Sequence, residues 1–222
     1  MKGKSKGKKV GLFGGTFNPI HLGHLRGAEE IREGFGLDEV IFIPSANPPH
    51  KPPEEILDAR HRVEMVRLAI SSNPFFSLSE IELKRPGKSY TIDTLRHFCG
   101  EGSDDHYFIM GGEAFGEIET WKDYKELFVL SHFIVMLRHG CEASPDVSAL
   151  PETLRSEFRY DLELKAWVHP SGKRLYFREI SFLDISSTKV RELIERGASV
   201  RYLIPPEAEA YLRKHALYRK EG

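Results

Sequence analysis

The segment 14–24, Gly-Gly-Thr-Phe-Asn-Pro-Ile-His-Leu-Gly-His, constrains this chain most, because it joins an expected β-strand to an expected α-helix through a glycine turn. Residues 9–13 are a short apolar run, which predicts a buried strand. After the turn, apolar residues recur every three or four positions, as one buried helix face requires, at Leu22, Leu25, Ala28, Ile31 and Phe35. Glycines let a backbone approach a ligand closely, and a helix start offers unpaired N–H groups to an anion. The segment therefore predicts a phosphate site.

Two histidines strengthen this prediction. His21 and His24 are three residues apart at the expected helix start, so both lie on one side of its first turn. A neutral histidine can donate a hydrogen bond to a phosphate oxygen, and a bound phosphate can raise its pKa so that it carries charge. A single histidine beside a glycine turn is more often structural, whereas two in this context favour ligand binding. No carboxylate stands at a matching spacing, so we predict no metal site in the protein itself.

Short apolar runs alternate with amphipathic stretches along most of the chain, which is typical of an α/β fold with a parallel sheet. Strands are predicted at 9–13, 39–44, 75–78, 107–112 and 131–137, with shorter ones around Val168 and at 175–177. Helices are predicted from Leu22, over 59–71, after Ser89, from Trp121, near Ser187 and after Pro205-Pro206. The last of these gives a small C-terminal helical portion. We predict a loop over 138–150 and one domain over 9–222, after a flexible Lys-rich leader at 1–8.

Composition excludes several classes of protein. The formal net charge is −1, and five lysines within residues 1–9 mask a mildly acidic body. The leader lacks aromatic residues, so we interpret it as a solubilising tail and predict no nucleic-acid partner. Cys99 and Cys141 form no metal-type cluster and are expected to be reduced thiols. Because no apolar run reaches membrane-spanning length and none resembles a signal peptide, we expect a cytoplasmic protein without a membrane partner.

Three further segments follow predicted strands at the edge of the sheet where α/β proteins bind ligands. The proline-rich loop 45–53 carries His50 and Lys51, which are either surface residues or lie over the same crevice as the histidines. The strand ending at Gly111 leads directly to Glu113. Trp121, expected at the start of the next helix, either packs in the fold or stacks on a flat heterocycle.

Two predicted helix starts are rich in hydroxyl groups. Ser89 and Thr91 precede an apolar stripe, and capping alone would explain them. Ser187, Thr188 and Arg191 stand at the start of a later helix, where they either cap it or form a second anion site. Two phosphate-competent helix starts without a Walker lysine motif favour nucleotidyl transfer over a P-loop kinase.

These segments together make the chain similar to the bacterial nicotinate-nucleotide adenylyltransferases, members of the nucleotidyltransferase superfamily. The likeness runs from Val10 to the C-terminus. Five motifs in order carry it: GGTFNPIHLGHL, PPHK, SYTIDTL, FIMGGEAF with TW after it, and ISSTKVR. The resemblance implies a Rossmann-like, doubly wound parallel sheet with flanking helices. It also implies the reaction of ATP with nicotinate mononucleotide to give deamido-NAD and pyrophosphate, with Mg²⁺.

The resemblance further implies a role for each motif. The residues expected along the nucleotide are Gly14, Gly15, Thr16 and Phe17, with Gly111 and Glu113 beside adenosine. His21, His24 and Arg191 are the expected catalytic residues, and Lys51, Ser187 and Thr188 are expected to hold phosphates. The nicotinate ring is expected among Thr91, Ile92, Trp121 and Lys122, with backbone N–H groups reading its carboxylate.

Other readings remain open at this point. The acceptor could be nicotinamide mononucleotide or phosphopantetheine, or the chain could bind nucleotides without catalysis. The PPHK loop and the region of Trp121 favour nicotinate mononucleotide over phosphopantetheine. The sequence leaves open whether the chain forms a homo-oligomer.

Overall fold

The computed structural model of the chain describes residues 7–50, 52–100, 103–137, 146–181 and 183–219. Its centre is one sheet with the strand order β3-β2-β1-β4-β5-β8-β7-β6. The strands are β1 (Lys9–Gly15), β2 (Glu39–Pro44), β3 (Phe76–Leu78), β4 (Asp105–Gly111), β5 (His132–Leu137), β6 (Arg159–Asp161), β7 (Ala166–Val168) and β8 (Arg174–Glu179). The first six strands in this order, β3, β2, β1, β4, β5 and β8, run parallel. At the edge next to β8, β7 pairs antiparallel with β8, and β6 pairs antiparallel with β7.

Helices cover both faces of this sheet. They are α1 (Leu22–Phe35), α2 (Ala59–Ile70), α3 (Thr91–Cys99), α4 (Gly112–Gly116), α5 (Tyr124–Leu130), α6 (Ser187–Glu195) and α7 (Pro206–Lys214). Helices α1, α2, α6 and α7 pack into one core cluster, and α3, α4 and α5 pack into the other. Short 3-10 turns lie at Pro53–Glu55, Ile118–Thr120, Val147–Ala149 and Glu152–Leu154.

The two cores follow from the alternation of side chains along buried strands. In β1, Leu12 faces the α3 side and Phe13 faces the α1 side, and in β4 Phe108 and Ile109 divide in the same way. All four side chains are almost completely buried. Central strands covered on both faces read as continuous apolar runs, which is why the sequence shows runs rather than alternation.

The predicted α/β class and the doubly wound sheet are confirmed, and most predicted elements lie within two residues of the observed ones. The prediction of a parallel sheet does not hold at one edge. There the turn at 169–173 reverses the chain, and β7 pairs antiparallel with β8. The prediction that a helix starts at Trp121 is also wrong, since this residue follows the 3-10 turn and α5 begins at Tyr124. Within the described ranges the longest helix has 14 residues, and none has the length and apolar character of a membrane span.

Some predictions fall outside the described residues. They concern residues 1–6 of the leader, Lys51, Cys141 and the first part of the predicted loop, residues 138–145. Cys99, the described cysteine, is a free thiol, and burial raises its pKa to about 11.

Candidate active site

The carboxyl ends of β1 and β4 meet at the point where the strand order reverses, because β2 lies outside β1 on one side and β5 outside β4 on the other. Open α/β sheets bind ligands at such a point. Two cavities open there, a first of about 270 Å³ and a second of about 470 Å³. Gly111, the last residue of β4, borders both of them.

The histidine turn, residues 14–24, lies between these cavities. Gly14, Gly15 and Thr16 line the first cavity, and His21 and His24 line the second. Phe17 is placed differently from the expectation that it lies along a nucleotide. It is buried, its ring packs against Phe13 and His24, and it lines neither cavity.

The two histidines form a compact stacked pair. Their ring centroids are 3.6 Å apart and the ring planes differ by 27°. The backbone N–H of His21, the N-cap residue of α1, donates to Nδ1 of His24 at 3.2 Å. Because Nδ1 accepts this bond, a neutral His24 carries its ring proton on Nε2. The motif thus fixes both the orientation and the tautomer of His24.

Gly23 is needed for this packing. A Cβ on Gly23 would lie 3.0 Å from Nδ1 and 3.1 Å from Cε1 of His21, closer than ordinary contacts allow. A larger residue would therefore displace the His21 ring from its stack on His24. The glycine between the histidines serves the side chain of His21 rather than a special backbone angle.

Burial keeps His21 neutral. Its side chain is 7% exposed, and removal from water lowers its pKa to about 4. Nδ1 of His21 has no hydrogen-bond partner among the described residues. An imidazolium at position 21 would also lie against the His24 ring, so the pair tolerates one positive charge at most.

The start of α6 docks on the histidine turn. Ser187 donates its hydroxyl to the carbonyl of Pro19 at 2.8 Å, and Arg191 donates from Nη1 to the carbonyl of Asn18 at 2.8 Å. Arg191 also donates to Oγ1 of Thr188 at 3.3 Å. The helix is capped by Ser186, which accepts from the N–H of Lys189. These contacts bring the second predicted anion site against the first.

Arg191 does not reach the histidine cavity itself. It lines a separate cavity of about 600 Å³ beside Tyr218 and Glu195, on the other side of the turn. From there its guanidinium supports the carbonyl of Asn18 and places a positive charge beneath the turn. Arg191 therefore supports the histidine turn from outside the second cavity.

The first cavity receives Thr91, Trp121 and Lys122, three of the four residues expected around the nicotinate ring. Trp121 is half-buried and meets the ring of Phe108 edge-on at 6.4 Å. Lys122 Nζ lies 4.7 Å from the centre of the Tyr90 ring and 3.8 Å from a carboxylate oxygen of Asp93. Ile92, the fourth, is fully buried in the core and does not line the cavity.

Helix α3 begins in this cavity without a side-chain cap. Tyr90 is its N-cap residue and forms no capping hydrogen bond. Capping by Ser89, one explanation of this motif, is wrong, because its hydroxyl accepts from the N–H groups of Ala46 at 3.0 Å and Asn47 at 3.1 Å. The first-turn N–H groups of α3 thus carry the partial positive charge of a helix start toward the cavity.

A buried carboxylate also lines the first cavity. Glu82 is 7% exposed, and its Oε1 accepts the hydroxyl of Thr94 at 2.7 Å. Arg85 donates to the same hydroxyl oxygen at 2.5 Å and lies 4.0 Å from Oε1. The other oxygen, Oε2, has no partner among the described residues. A buried acceptor of this kind favours a ligand that brings a hydroxyl donor.

The remaining predicted residues are placed as follows. His50 lines the first cavity, and its neighbour Lys51 lies outside the described residues. Glu113 lines the second cavity with Gly112.

Sequence reasoning missed most of the apolar wall of the second cavity, formed by Met136, Leu137, Ile180, Leu183 and Ile185. These residues end or follow β5 and β8, so their position at the carboxyl edge of a parallel sheet is a signal that could have identified them.

Comparisons with known proteins agree with this geometry. The model of the cytidylyltransferase-like family matches residues 12–193. A Pelobacter propionicus protein named "probable nicotinate-nucleotide adenylyltransferase" is 46% identical over 211 residues, which cover 95% of this chain and 98% of the relative. A protein of the same name from Geobacter sulfurreducens is 42% identical over 215 residues, covering 96% and 100%.

A solved structure has a similar fold. The Plasmodium falciparum nicotinic acid mononucleotide adenylyltransferase complexed with NaAD gives a TM-score of 0.69 at 19% identity, over 95% of this chain and 97% of that chain.

Proposed function

Because the chain belongs to the nicotinate-nucleotide adenylyltransferases of the cytidylyltransferase-like family, we propose that it transfers the adenylyl group of ATP to nicotinate mononucleotide. The products are deamido-NAD and pyrophosphate. The observation that carries the proposal is the position of the histidine turn between two cavities that share Gly111. A transfer between two nucleotides needs one site for each and a phosphate site between them.

The second cavity suits the adenosine half of ATP. Its wall is largely apolar where β5 and β8 end, as a purine requires, and His21 and His24 stand at its phosphate side. Gly111, Gly112 and Glu113 form the border toward the sheet. The α-phosphate of ATP would then lie at the turn, within reach of the first cavity.

The first cavity suits the mononucleotide. Trp121 offers a face for the pyridine ring, and Oε2 of Glu82 offers an acceptor for a sugar hydroxyl. The uncapped start of α3 at Thr91 offers N–H groups and a partial positive charge to the ring carboxylate. A carboxamide would gain less from this charge, so the arrangement favours the acid over the amide.

The proposed reaction needs no protein nucleophile. A phosphate oxygen of the mononucleotide attacks the α-phosphorus of ATP, the bond from that phosphorus to the bridging oxygen breaks, and pyrophosphate leaves with the bond electrons. Negative charge grows on the oxygens around phosphorus and on the leaving group. The protein contributes positioning and fixed hydrogen-bond donors.

His24 is the donor best placed for this charge. Its Nδ1 is held by the N–H of His21, so a neutral His24 carries its ring proton on Nε2, the atom from which it would donate to an α-phosphate oxygen. Neutral His21 supports the ring of His24 by stacking. We place the leaving pyrophosphate on the side of the turn nearest α6, where Arg191 adds positive charge through its contact with the carbonyl of Asn18, while Ser187 holds the turn through the carbonyl of Pro19.

Mg²⁺ enters this proposal as part of the ATP substrate. The part of the chain that the structure describes holds no group of three or more His, Cys, Asp or Glu side chains that could bind a metal ion. Mg²⁺ commonly keeps its waters and binds through substrate phosphates, which fits such a site. The proposed substrates are therefore MgATP and nicotinate mononucleotide.

An acceptor panel tests the proposal. Purified protein with MgATP is given nicotinate mononucleotide, nicotinamide mononucleotide or phosphopantetheine, and pyrophosphate release is measured by a coupled assay. We expect the highest kcat/KM with nicotinate mononucleotide. Equal or faster turnover of phosphopantetheine would contradict the proposed acceptor, and ATP binding without pyrophosphate release would contradict catalysis.

A further inference from the structure

Arg62 is the largest fully buried side chain among the described residues. It lies on α2, and its guanidinium donates to three backbone carbonyls. The acceptors are Leu57 at 2.8 Å from Nε, Thr16 at 2.6 Å from Nη1 and Ala46 at 3.2 Å from Nη2. All three nitrogens of the guanidinium are therefore used on the backbone.

The three carbonyls belong to three different loops around the cleft. Thr16 is in the histidine turn, and Ala46 is in the loop after β2 that lines the first cavity through Ser45 and Pro48. Leu57 is in the segment that leads from the proline-rich loop into α2. No other described side chain donates to all three of these loops.

Other contacts join the same loops in pairs, whereas Arg62 is bonded to all three. Ser89 accepts from the N–H of Ala46, and Asn18 accepts from the N–H of Leu57 at 3.2 Å. The N–H of Ser45 donates to the carbonyl of Gly15 at 2.9 Å. Arg62 and the bond from Ser45 to Gly15 thus join the histidine turn to the loop after β2.

The chemistry of arginine suits this place. Among the described residues no carboxylate forms a hydrogen bond or ion pair with Arg62, although burying a cation in this way is costly. The planar guanidinium directs its donors outward in a fixed fork, so it sets the relative positions of three acceptors. The single ammonium of a lysine cannot span the same three carbonyls.

Resting on the proposed adenylyl transfer, we propose that Arg62 is a positioning residue. It fixes the distance between the histidine turn, which holds the ATP phosphates, and the loop that borders the acceptor. The attacking phosphate and the α-phosphorus must meet in line, and an error of about 1 Å in such a geometry costs on the order of 10²-fold in rate. Arg62 itself touches neither substrate.

Kinetics of Arg62→Ala and Arg62→Lys test this inference. We expect kcat/KM to fall on the order of 10²-fold in both variants, with most of the loss in kcat. The preserved charge of lysine is expected to restore little. Millimolar guanidinium is expected to raise the activity of Arg62→Ala at least about tenfold by filling the vacated place between the carbonyls, whereas methylammonium is expected to have no effect.

The matched control is Val66→Ala, a truncation one turn further along the same helix in the core cluster. It lowers stability as well, but it removes no hydrogen bond to the cleft loops, because valine has no side-chain donor. We expect its kcat to stay within about twofold of the wild type and to be insensitive to guanidinium. If Arg62→Lys loses stability but keeps the kcat of Val66→Ala, Arg62 is structural only and the inference is wrong.

Hydrogen exchange keeps the test independent of the reaction. The amides of Ser45, Ala46 and Leu57 are expected to lose protection in Arg62→Lys and to keep it in Val66→Ala. Unchanged protection in Arg62→Lys overturns the inference even if the enzyme uses another acceptor. If the wild type is inactive with nicotinate mononucleotide, the proposed function is wrong instead. The exchange result then still shows whether Arg62 holds the three loops in place.

Discussion

His24 and Trp121 lie on opposite sides of Gly111, one in each cavity, so their replacement has different kinetic consequences. His24 is held by its Nδ1 and by stacking on His21. In the proposed reaction His24 donates to the oxygens on which charge develops, and Trp121 faces the pyridine ring, which does not change during the transfer. We therefore expect His24 to stabilise the transition state and Trp121 to bind substrate and transition state equally.

His24→Ala is expected to lower kcat by about 10²- to 10³-fold, the scale for loss of one preorganised donor. KM for both substrates should change little, because the donor acts mainly on charge that is absent from the ground state. Steady-state kinetics measure this, with circular dichroism as a check on folding. A variant with wild-type kcat would remove His24 from the mechanism.

Trp121→Ala is expected to raise KM for the mononucleotide about tenfold, if stacking contributes on the order of 1.4 kcal/mol. Its kcat and its KM for ATP should stay near those of the wild type. Trp121→Phe keeps an aromatic face and should recover most of the affinity. An unchanged mononucleotide KM in Trp121→Ala would make this residue a packing partner of Phe108 and nothing more.

Among the helices and strands, the start of α3 is the element that we propose distinguishes an acid from an amide on the pyridine ring. Tyr90 has extended backbone angles, φ −99° and ψ 131°, and Thr91 is the first helical residue. The N–H of Thr91 lies in the first turn, where no intrahelical carbonyl can accept it. In the proposed function this backbone contributes to recognition of the carboxylate, in the cavity that Lys122 also lines.

Thr91→Pro tests this role of the backbone. Proline is well tolerated at the first helical position and after an extended residue, so the helix should form while one N–H is lost. A hydrogen bond to a charged group contributes about 1.5–3 kcal/mol. The preference for nicotinate over nicotinamide mononucleotide, measured as a ratio of kcat/KM, should therefore fall at least about tenfold.

The control is Thr91→Val, which removes the hydroxyl and keeps the N–H. Its preference should remain within about twofold of the wild type. If Thr91→Pro also keeps the full preference, the carboxylate is read elsewhere in the cavity.

Elements with a regular apolar period were predictable, and edge features were not. Strand β2 was predicted with its observed ends, and α2 was predicted within one residue, because most of their apolar residues are buried in a regular pattern. Strand β6 has three residues and pairs only with β7 at the edge of the sheet. It is too short to show a periodic pattern of apolar residues. Ser89 shows a similar limit, since its partners lie 42 and 43 residues away.

At the scale of the whole molecule, buried histidines link stability to pH. Burial lowers the pKa of His21 and of His132 to about 4, and it also lowers the pKa of His106. The unfolded chain takes up these protons near pH 6.5, the ordinary value for histidine. Between pH 6.5 and about 4 the unfolded state therefore binds more protons than the folded state. In this range the free energy of unfolding decreases as the pH is lowered.

We expect the free energy of unfolding to be constant from pH 8 to 7 and to decrease steadily from pH 6.5 to 5. Urea denaturation at several pH values measures it, and His106→Gln should show a shallower decrease because one titrating group is gone. A free energy that stays constant down to pH 5 would show that these histidines are as accessible to protons in the folded chain as in the unfolded one.

The tertiary structure also decides how much of the candidate site could be predicted from the sequence. The sequence identified the histidine turn, Trp121 and the start of α6, because each combines a strand or helix end with reactive side chains. It assigned Phe17 and Ile92 to ligands although their side chains are buried, since burial depends on packing partners distant in sequence. Arg62 carries a signal, a charged residue in line with the buried Met65, Val66 and Ala69, but its three acceptors are set by the tertiary fold.

Product analysis is the strictest test of adenylyl transfer from ATP to nicotinate mononucleotide. The protein is incubated with MgATP and nicotinate mononucleotide, and all nucleotide products are quantified by mass spectrometry beside released pyrophosphate. Transfer at the α-phosphorus predicts deamido-NAD and pyrophosphate in equal amounts, with no ADP and no free phosphate. ATP consumed without deamido-NAD, or ADP as the main product, would contradict the account.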